Sequence, residues 1–338
     1  MKTVILDKPG SFSLVDRQKP ELNRSNDAIV RVRRIGVCGT DLHAFKGDQP
    51  FFSYPRVLGH ELGVEIVELG QSSPTIKVGD YCSIEPYYNC GMCPVCKLGK
   101  TNCCERLKVI GVHEDGGMCE WLSVPMNKLH PSKSLPLEHL ALVEMLTIGA
   151  HAVSRANVTP RHNVLVIGAG PIGLSVIQFV RLAGADPIVF EMDASRRSFC
   201  QNFLGVQRIV DPRDEPIEKL KRELGGGLPD VVFDATGSPT SMQKAFSFAG
   251  SGGTLVLVGL FIGDLSFYDP EFHRKELTLM SSRNATPADF DYVIRMLEEG
   301  RINLNPWITH RTNLDGVADT FPSFLDKNEG VVKAMIDV

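Results

Sequence analysis

Four cysteines, Cys90, Cys93, Cys96 and Cys104, fall in the pattern C-x2-C-x2-C-x7-C. Thiolates this close together can give a zinc ion all four of its tetrahedral ligands. A site closed by four thiolates leaves no position for substrate, so this zinc would be structural. Cys103 is the alternative to Cys104 at the fourth place. Cys82, Cys119 and Cys200 read as small core residues.

A second constellation is scattered. Gly36-Val37-Cys38-Gly39-Thr40-Asp41-Leu42-His43 and Gly59-His60-Glu61 offer a thiolate, an imidazole and a carboxylate, and the distant Glu144 offers another carboxylate. A catalytic zinc needs about three protein ligands and one exchangeable position. Residue type alone leaves open whether Glu61 or Glu144 completes the set with Cys38 and His60. Thr40 has a hydroxyl that can pass on a substrate proton, and His43 can exchange that proton with solvent near neutral pH. Asp41 can orient the His60 ring. The kit suits removal of hydride from an alcohol carbon. Zinc lowers the alcohol pKa and stabilises the alkoxide, and the proton leaves through a relay.

The acceptor of that hydride is suggested by Gly168-Ala169-Gly170-Pro171-Ile172-Gly173, a G-x-G-x-x-G run. It follows a buried strand and opens a helix, the context a dinucleotide fingerprint requires. The glycines let the backbone approach a pyrophosphate at the helix N-terminus. Glu191 ends the next strand, where an acid binds a ribose 2′-hydroxyl and repels a 2′-phosphate, favouring NAD over NADP. Arg196 and Arg197 lie close by; Arg196 is assigned to the cofactor site, with a solvated helix face or adenine packing as the alternative.

The elements that must hold these residues change character along the chain. Asp27–Arg33 and Gly63–Glu68 alternate at period two, and short strands broken by Gly and Pro predict an antiparallel, barrel-like β domain. Near residue 147 the rhythm changes. Val164–Ile167 is a continuous apolar run, the mark of a strand buried on both faces. Residues 171–183 read as a helix, and Ile188–Phe190 as the next strand. Further strands are expected at Val231–Phe233, 255–258 and 277–279. This βαβ alternation predicts a doubly wound parallel sheet, an α/β fold. Thr286-Pro287 starts a helix that Gly300 stops. The expected division is a β-rich domain over 1–147, onto which 286–338 fold back, and a dinucleotide-binding domain over 148–285.

Composition narrows the class. The 338 residues suit two domains, and 43% are hydrophobic, enough for full cores. Lys+Arg 36 against Asp+Glu 40 leaves a net charge of -4, which argues against nucleic acid as a main partner. The uncharged stretch 163–180 nears membrane-span length but is broken by Gly168, Gly170, Pro171 and Gly173, so no membrane partner is expected. The short apolar run at the N-terminus does not form a signal peptide, and the chain reads as cytoplasmic. With no disulfide-forming compartment implied, nine cysteines point to metal or thiol chemistry.

Taken together, Gly59-His60-Glu61, the four-cysteine loop and the glycine fingerprint resemble the zinc-dependent medium-chain alcohol dehydrogenase superfamily, in its polyol and threonine dehydrogenase branch. The likeness covers nearly the whole chain. It implies a GroES-like catalytic domain beside a Rossmann domain, ordered binding with cofactor first, and homodimers or homotetramers. By position it implies Cys38, His60 and Glu144 as zinc ligands and Glu61 as an exchangeable or outer ligand. Thr40 and His43 become the relay, with Asp41 holding His60. Many relatives have proline after the acid at Glu144, where this chain has Met145.

A narrower similarity, to bacterial L-galactonate and L-gulonate 5-dehydrogenases, rests on three runs. They are Gln49-Pro50-Phe51-Phe52-Ser53-Tyr54-Pro55-Arg56, Gly111-Val112-His113-Glu114-Asp115-Gly116-Gly117 and Ser282-Arg283-Asn284-Ala285-Thr286. It implies a sugar-acid or polyol substrate. Arg283 would bind the carboxylate and Asn284 stand beside it, just past the last predicted strand. The rival activities are threonine 3-dehydrogenase and sorbitol-type dehydrogenase. From other classes, a zinc-ribbon binding module or a non-catalytic sensor on the same fold would leave the reactive-site residues without a task.

Overall fold

The computed structural model describes residues 1–50 and 52–338. Phe51, in the run from Gln49 to Arg56, lies outside them. Phe52 and Tyr54 pack edge to face at 4.9 Å against the first core. The chain divides into two compact units, Met1–Met145 with Ala285–Val338, and Leu146–Asn284. The first boundary falls inside the helix Leu137–Arg155.

The first unit is built on a seven-stranded sheet among the described residues. Its central strand, Asp27–Val37, buries Ala28, Val30 and Val32 at alternate positions. On one side it pairs antiparallel with Lys333–Asp337, setting Gly36 opposite Met335. On the other it pairs antiparallel with Glu61–Leu69, setting Gly36 opposite Glu61. The last strand of the chain therefore flanks the strand that leads into Cys38. The sheet is mixed rather than antiparallel throughout, because Ile308–Asn313 and Lys333–Asp337 run parallel. The helical turns between them give the chain enough length to return to the same end, as a parallel pair requires.

The second unit carries six parallel strands in the order Arg208–Val210, Ile188–Phe190, Val164–Ile167, Val231–Asp234, Thr254–Leu257 and Thr278–Ser281. This is the 3-2-1-4-5-6 order of a Rossmann sheet. Val164, Leu165 and Val166 are completely buried, as expected of a strand covered on both faces. The helix Pro171–Leu182 starts with proline at its first turn. The uncharged stretch at 163–180 is thus a strand, a turn and part of a helix. Among the described residues, no helix is long and apolar enough to cross a membrane. The edge strand Arg208–Val210 is the one not anticipated; it has three residues, all half-buried, and no periodicity.

Candidate functional site

The strand Asp27–Val37 passes directly into the helix Gly39–Lys46, and Cys38 is the residue between them. Asp41 folds back over this junction. Its carboxylate accepts hydrogen bonds from the Cys38 amide at 2.9 Å and the Gly59 amide at 3.4 Å. Asp41 is fully buried and stands 3.7 Å from His60 Nδ1. Glu61 follows at the start of its strand, opposite Gly36. A Cβ on Gly36 would lie 2.1 Å from Glu61 Oε2, so a larger residue there would push this carboxylate aside. Ligand atoms of Cys38, His60 and Glu61 all lie within 4.8 Å of one another. Glu144 is buried but outside that set; its Oε1 accepts a hydrogen bond from the Tyr87 hydroxyl.

The charges here call for a cation. Burial raises the Asp41 and Glu144 carboxyls above their ordinary values, with His60 opposing the rise. Burial alone would lower His60, but Asp41, Cys38 and Glu144 outweigh it and raise it well above its ordinary value. Lys333 Nζ lies 2.5 Å from Glu61 Oε1, and both side chains are buried. Glu61 Oε2 is also buried and has no hydrogen-bond partner among the described residues. A thiol, an imidazole and an unsatisfied carboxylate oxygen, among more buried acids than Lys333 can balance, fit a zinc ion.

The four-cysteine loop fits one as well. Ligand atoms of Cys90, Cys93, Cys96 and Cys104 lie within 4.8 Å of one another, while Cys103 is exposed. Cys104 therefore completes the set. Backbone amides are aimed at the sulfurs: Cys90 N donates to Cys104 Sγ at 3.2 Å, and Cys93 N to Cys90 Sγ at 3.4 Å. The amides of Met92 and Cys93 pull the Cys90 thiol down to about 6, toward the thiolate a metal needs.

In the second unit, Gly168 has φ 90°, and a Cβ on Gly173 would lie 1.9 Å from the Gly168 carbonyl oxygen. Gly170 caps the helix that Pro171 and Ile172 open. Glu191 does more than end its strand. Its carboxylate accepts hydrogen bonds from the Ala169 amide at 2.7 Å and the Asp193 amide at 2.8 Å, pinning the glycine turn. Arg196 Nη1 would lie 3.8 Å from a Cβ on Gly170, so it stands over the loop. Arg197 is occupied otherwise, donating to the Glu191 and Met192 carbonyls.

Thr40 and His43 are three positions apart on the Gly39–Lys46 helix, hence neighbours on its surface. His43 is exposed and pairs with Asp48 at 2.8 Å. Arg283 and Asn284 follow the last parallel strand, Thr278–Ser281, with Arg283 exposed and Asn284 at φ 52°. Sequence reasoning missed Lys333 and Tyr87. Lys333 had a signal, being a lone charge in the otherwise apolar run Val331–Ile336. Tyr87 had none beyond its nearness to Cys90.

Residues 24–134 match the alcohol dehydrogenase GroES-like domain, and residues 171–299 match the zinc-binding dehydrogenase family. The chain is 42% identical over 337 residues to L-galactonate-5-dehydrogenase of Escherichia coli strain K12, covering 99% of this chain and 98% of that protein. It is 31% identical over 318 residues to 2-dehydro-3-deoxy-L-galactonate 5-dehydrogenase of Pseudoalteromonas atlantica, covering 93% and 92%. The crystal structure of a short chain alcohol dehydrogenase from E. coli CFT073, complexed with cofactor NADH, superposes with a TM-score of 0.92 at 29% identity, covering 100% of this chain and 99% of that one. A GroES-like part carrying both cysteine sites, a Rossmann part carrying the glycine turn, and relatives matched from end to end make this chain a member of the zinc-type medium-chain alcohol dehydrogenase family.

Proposed function

We propose that this protein is an NAD-dependent zinc dehydrogenase that oxidises a secondary alcohol of a sugar acid or polyol, of the L-galactonate or L-gulonate type. The observation that carries the reading is the Cys38, His60 and Glu61 donor set with its unsatisfied Glu61 oxygen. The full-length likeness to L-galactonate-5-dehydrogenase supports the substrate class, and the NADH in the E. coli CFT073 relative supports the cofactor. Zinc at the reactive site supplies Lewis-acid activation of the alcohol, and NAD supplies the hydride acceptor.

The remaining work falls to the chain. Cys38 and His60 hold the metal with one carboxylate; we assign Glu144 as the resident ligand and Glu61 as the exchangeable one. The structure offers a reason for this division. Glu61 is paired with the Lys333 ammonium at 2.5 Å, whereas Glu144 Oε1 accepts a hydrogen bond from the Tyr87 hydroxyl. Asp41 fixes His60. Thr40 takes the alcohol proton and passes it toward His43, whose exposure lets it exchange with water. Gly168, Gly170, Pro171, Ile172 and Gly173 seat the pyrophosphate, with Arg196 above it, and Glu191 accepts from the adenosine ribose. Arg283 and Asn284 bind the substrate carboxylate and a neighbouring hydroxyl. The open edge strand Thr278–Ser281, with Leu279 exposed, supports a homo-oligomer.

The test is a panel of sugar acids, polyols and hydroxy amino acids with NAD, followed by absorbance of the reduced nicotinamide. L-galactonate or L-gulonate should give the highest kcat/KM. A clear preference for L-threonine or sorbitol would move the protein to a rival activity. Inactivity with every compound would favour a sensor.

A further inference from the structure

The four-cysteine loop is anchored at its base by a two-strand ladder that sets Tyr87 opposite Val109 and Tyr88 opposite Lys108. The segment entering the loop, residues 85–89, uses alternate residues in the same way. Glu85 Oε1 lies 2.5 Å from Lys128 Nζ, and Glu85 Oε2 lies 3.4 Å from His130 Nε2. The Tyr87 hydroxyl donates to Glu144 Oε1. Asn89 Oδ1 accepts from the same Lys128 Nζ at 2.9 Å, and its Nδ2 donates to Cys96 Sγ at 3.8 Å. Lys128 thereby clasps the segment at both ends. The Tyr87 ring lies edge-on to Phe290, which stacks on His130 at 4.8 Å. This is a buried strut with a structural-zinc thiol at one end and a carboxylate of the reactive site in its middle.

We propose that Tyr87 is a positioning residue that fixes Glu144 for the reactive metal and makes that metal's affinity depend on metal in the four-cysteine loop. The inference rests on Glu144 being a ligand, as assigned above. A carboxylate ligand held by a hydrogen bond presents its other oxygen in one orientation. Loss of such a partner typically weakens metal binding about 10–100-fold. When the loop holds its metal, Cys96 is fixed, and through Asn89 so is the backbone that carries Tyr87. By linkage the effect is reciprocal.

Cobalt(II) in place of zinc separates the two sites, since sulfur-to-cobalt charge transfer is far stronger with four thiolates than with one. Binding is measured against a competing chelator in the full chain and in Y87F, E144Q, C96S and Y87F/C96S. Y87F should weaken the one-thiolate site about 10–100-fold, while the four-thiolate site, titrated with the one-thiolate site empty, keeps its affinity. C96S should weaken the one-thiolate site in the wild-type background and add nothing in Y87F. If E144Q loses cobalt and Y87F does not, Tyr87 has no such role. If E144Q binds as tightly as wild type, the ligand assignment beneath the inference is wrong. Equal losses from C96S in both backgrounds would overturn the coupling. So would no loss from C96S in wild type, a result that stands even if Y87F folds poorly.

Discussion

Lys333 Nζ sits 2.5 Å from Glu61 Oε1, joining the last strand of the chain to the strand that opens with the Gly59-His60-Glu61 motif. Both groups are buried. Burial opposes the Lys333 charge, but Glu61, Cys38 and Glu144 outweigh it and raise its pKa. Breaking a buried pair by removing one partner leaves an uncompensated charge and costs about 3–5 kcal/mol. Lys333→Met should therefore lower the unfolding free energy of the metal-free protein by about that amount. Adding Glu61→Gln should recover much of the loss. A K333M protein as stable as wild type would show that the pair contributes nothing.

The relay makes a kinetic prediction. Thr40→Val should lower kcat by about 10²–10⁴ with zinc content unchanged. His43→Ala should cost less, because His43 is exposed and water or buffer can replace it. Added imidazole should restore part of its rate and none of the rate of Thr40→Val. Equal rescue of both variants would contradict the assigned order.

Glu191 holds the glycine turn, and we assign it the exclusion of a 2′-phosphate as well. Hydrogen bonds to a charged group contribute about 1.5–3 kcal/mol. Glu191→Ala should therefore raise KM for NAD and lower the NAD to NADP ratio of kcat/KM by about 10–100-fold. An unchanged ratio would show that discrimination lies elsewhere.

His130 carries a pH prediction. Burial lowers its pKa, but Asp291 at 2.9 Å and Glu85 at 3.4 Å outweigh burial and raise it. Lys128 pairs with the same Glu85, and Arg295 acts on Asp291. The folded value lies above the unfolded one of about 6.5. The stabilisation is thus fully present below about pH 6.5 and is lost as pH rises through the folded value. Unfolding free energies of the zinc-loaded protein and of His130→Asn should diverge most at pH 6 and converge as pH rises. Parallel curves would contradict this.

Much of the fold was legible because its signals are local. The strand Val164–Ile167 and the glycine turn announce themselves within ten residues, and four thiols within fifteen announce the loop. Arg208–Val210 was not legible, since three half-buried residues carry no period. The parallel pair in the first sheet was hidden too, because it depends on how the chain returns between residues 313 and 333. The reactive site divides in the same way. Cys38, Asp41, His60 and Glu61 come from motifs, but Lys333 and Tyr87 reach their carboxylates only through pairing of segments distant in sequence. Residue type could not sort Glu61 from Glu144, because both are buried carboxylates whose partners, Lys333 and Tyr87, come from distant segments.

One chain is assigned a reactive zinc at Cys38 and His60 and a separate structural zinc in the cysteine loop. Zinc content of the purified protein and of Cys38→Ser tests it most directly. The wild-type chain should hold about two zinc ions and Cys38→Ser about one. One zinc or fewer in the wild type, or two retained in Cys38→Ser, would contradict it.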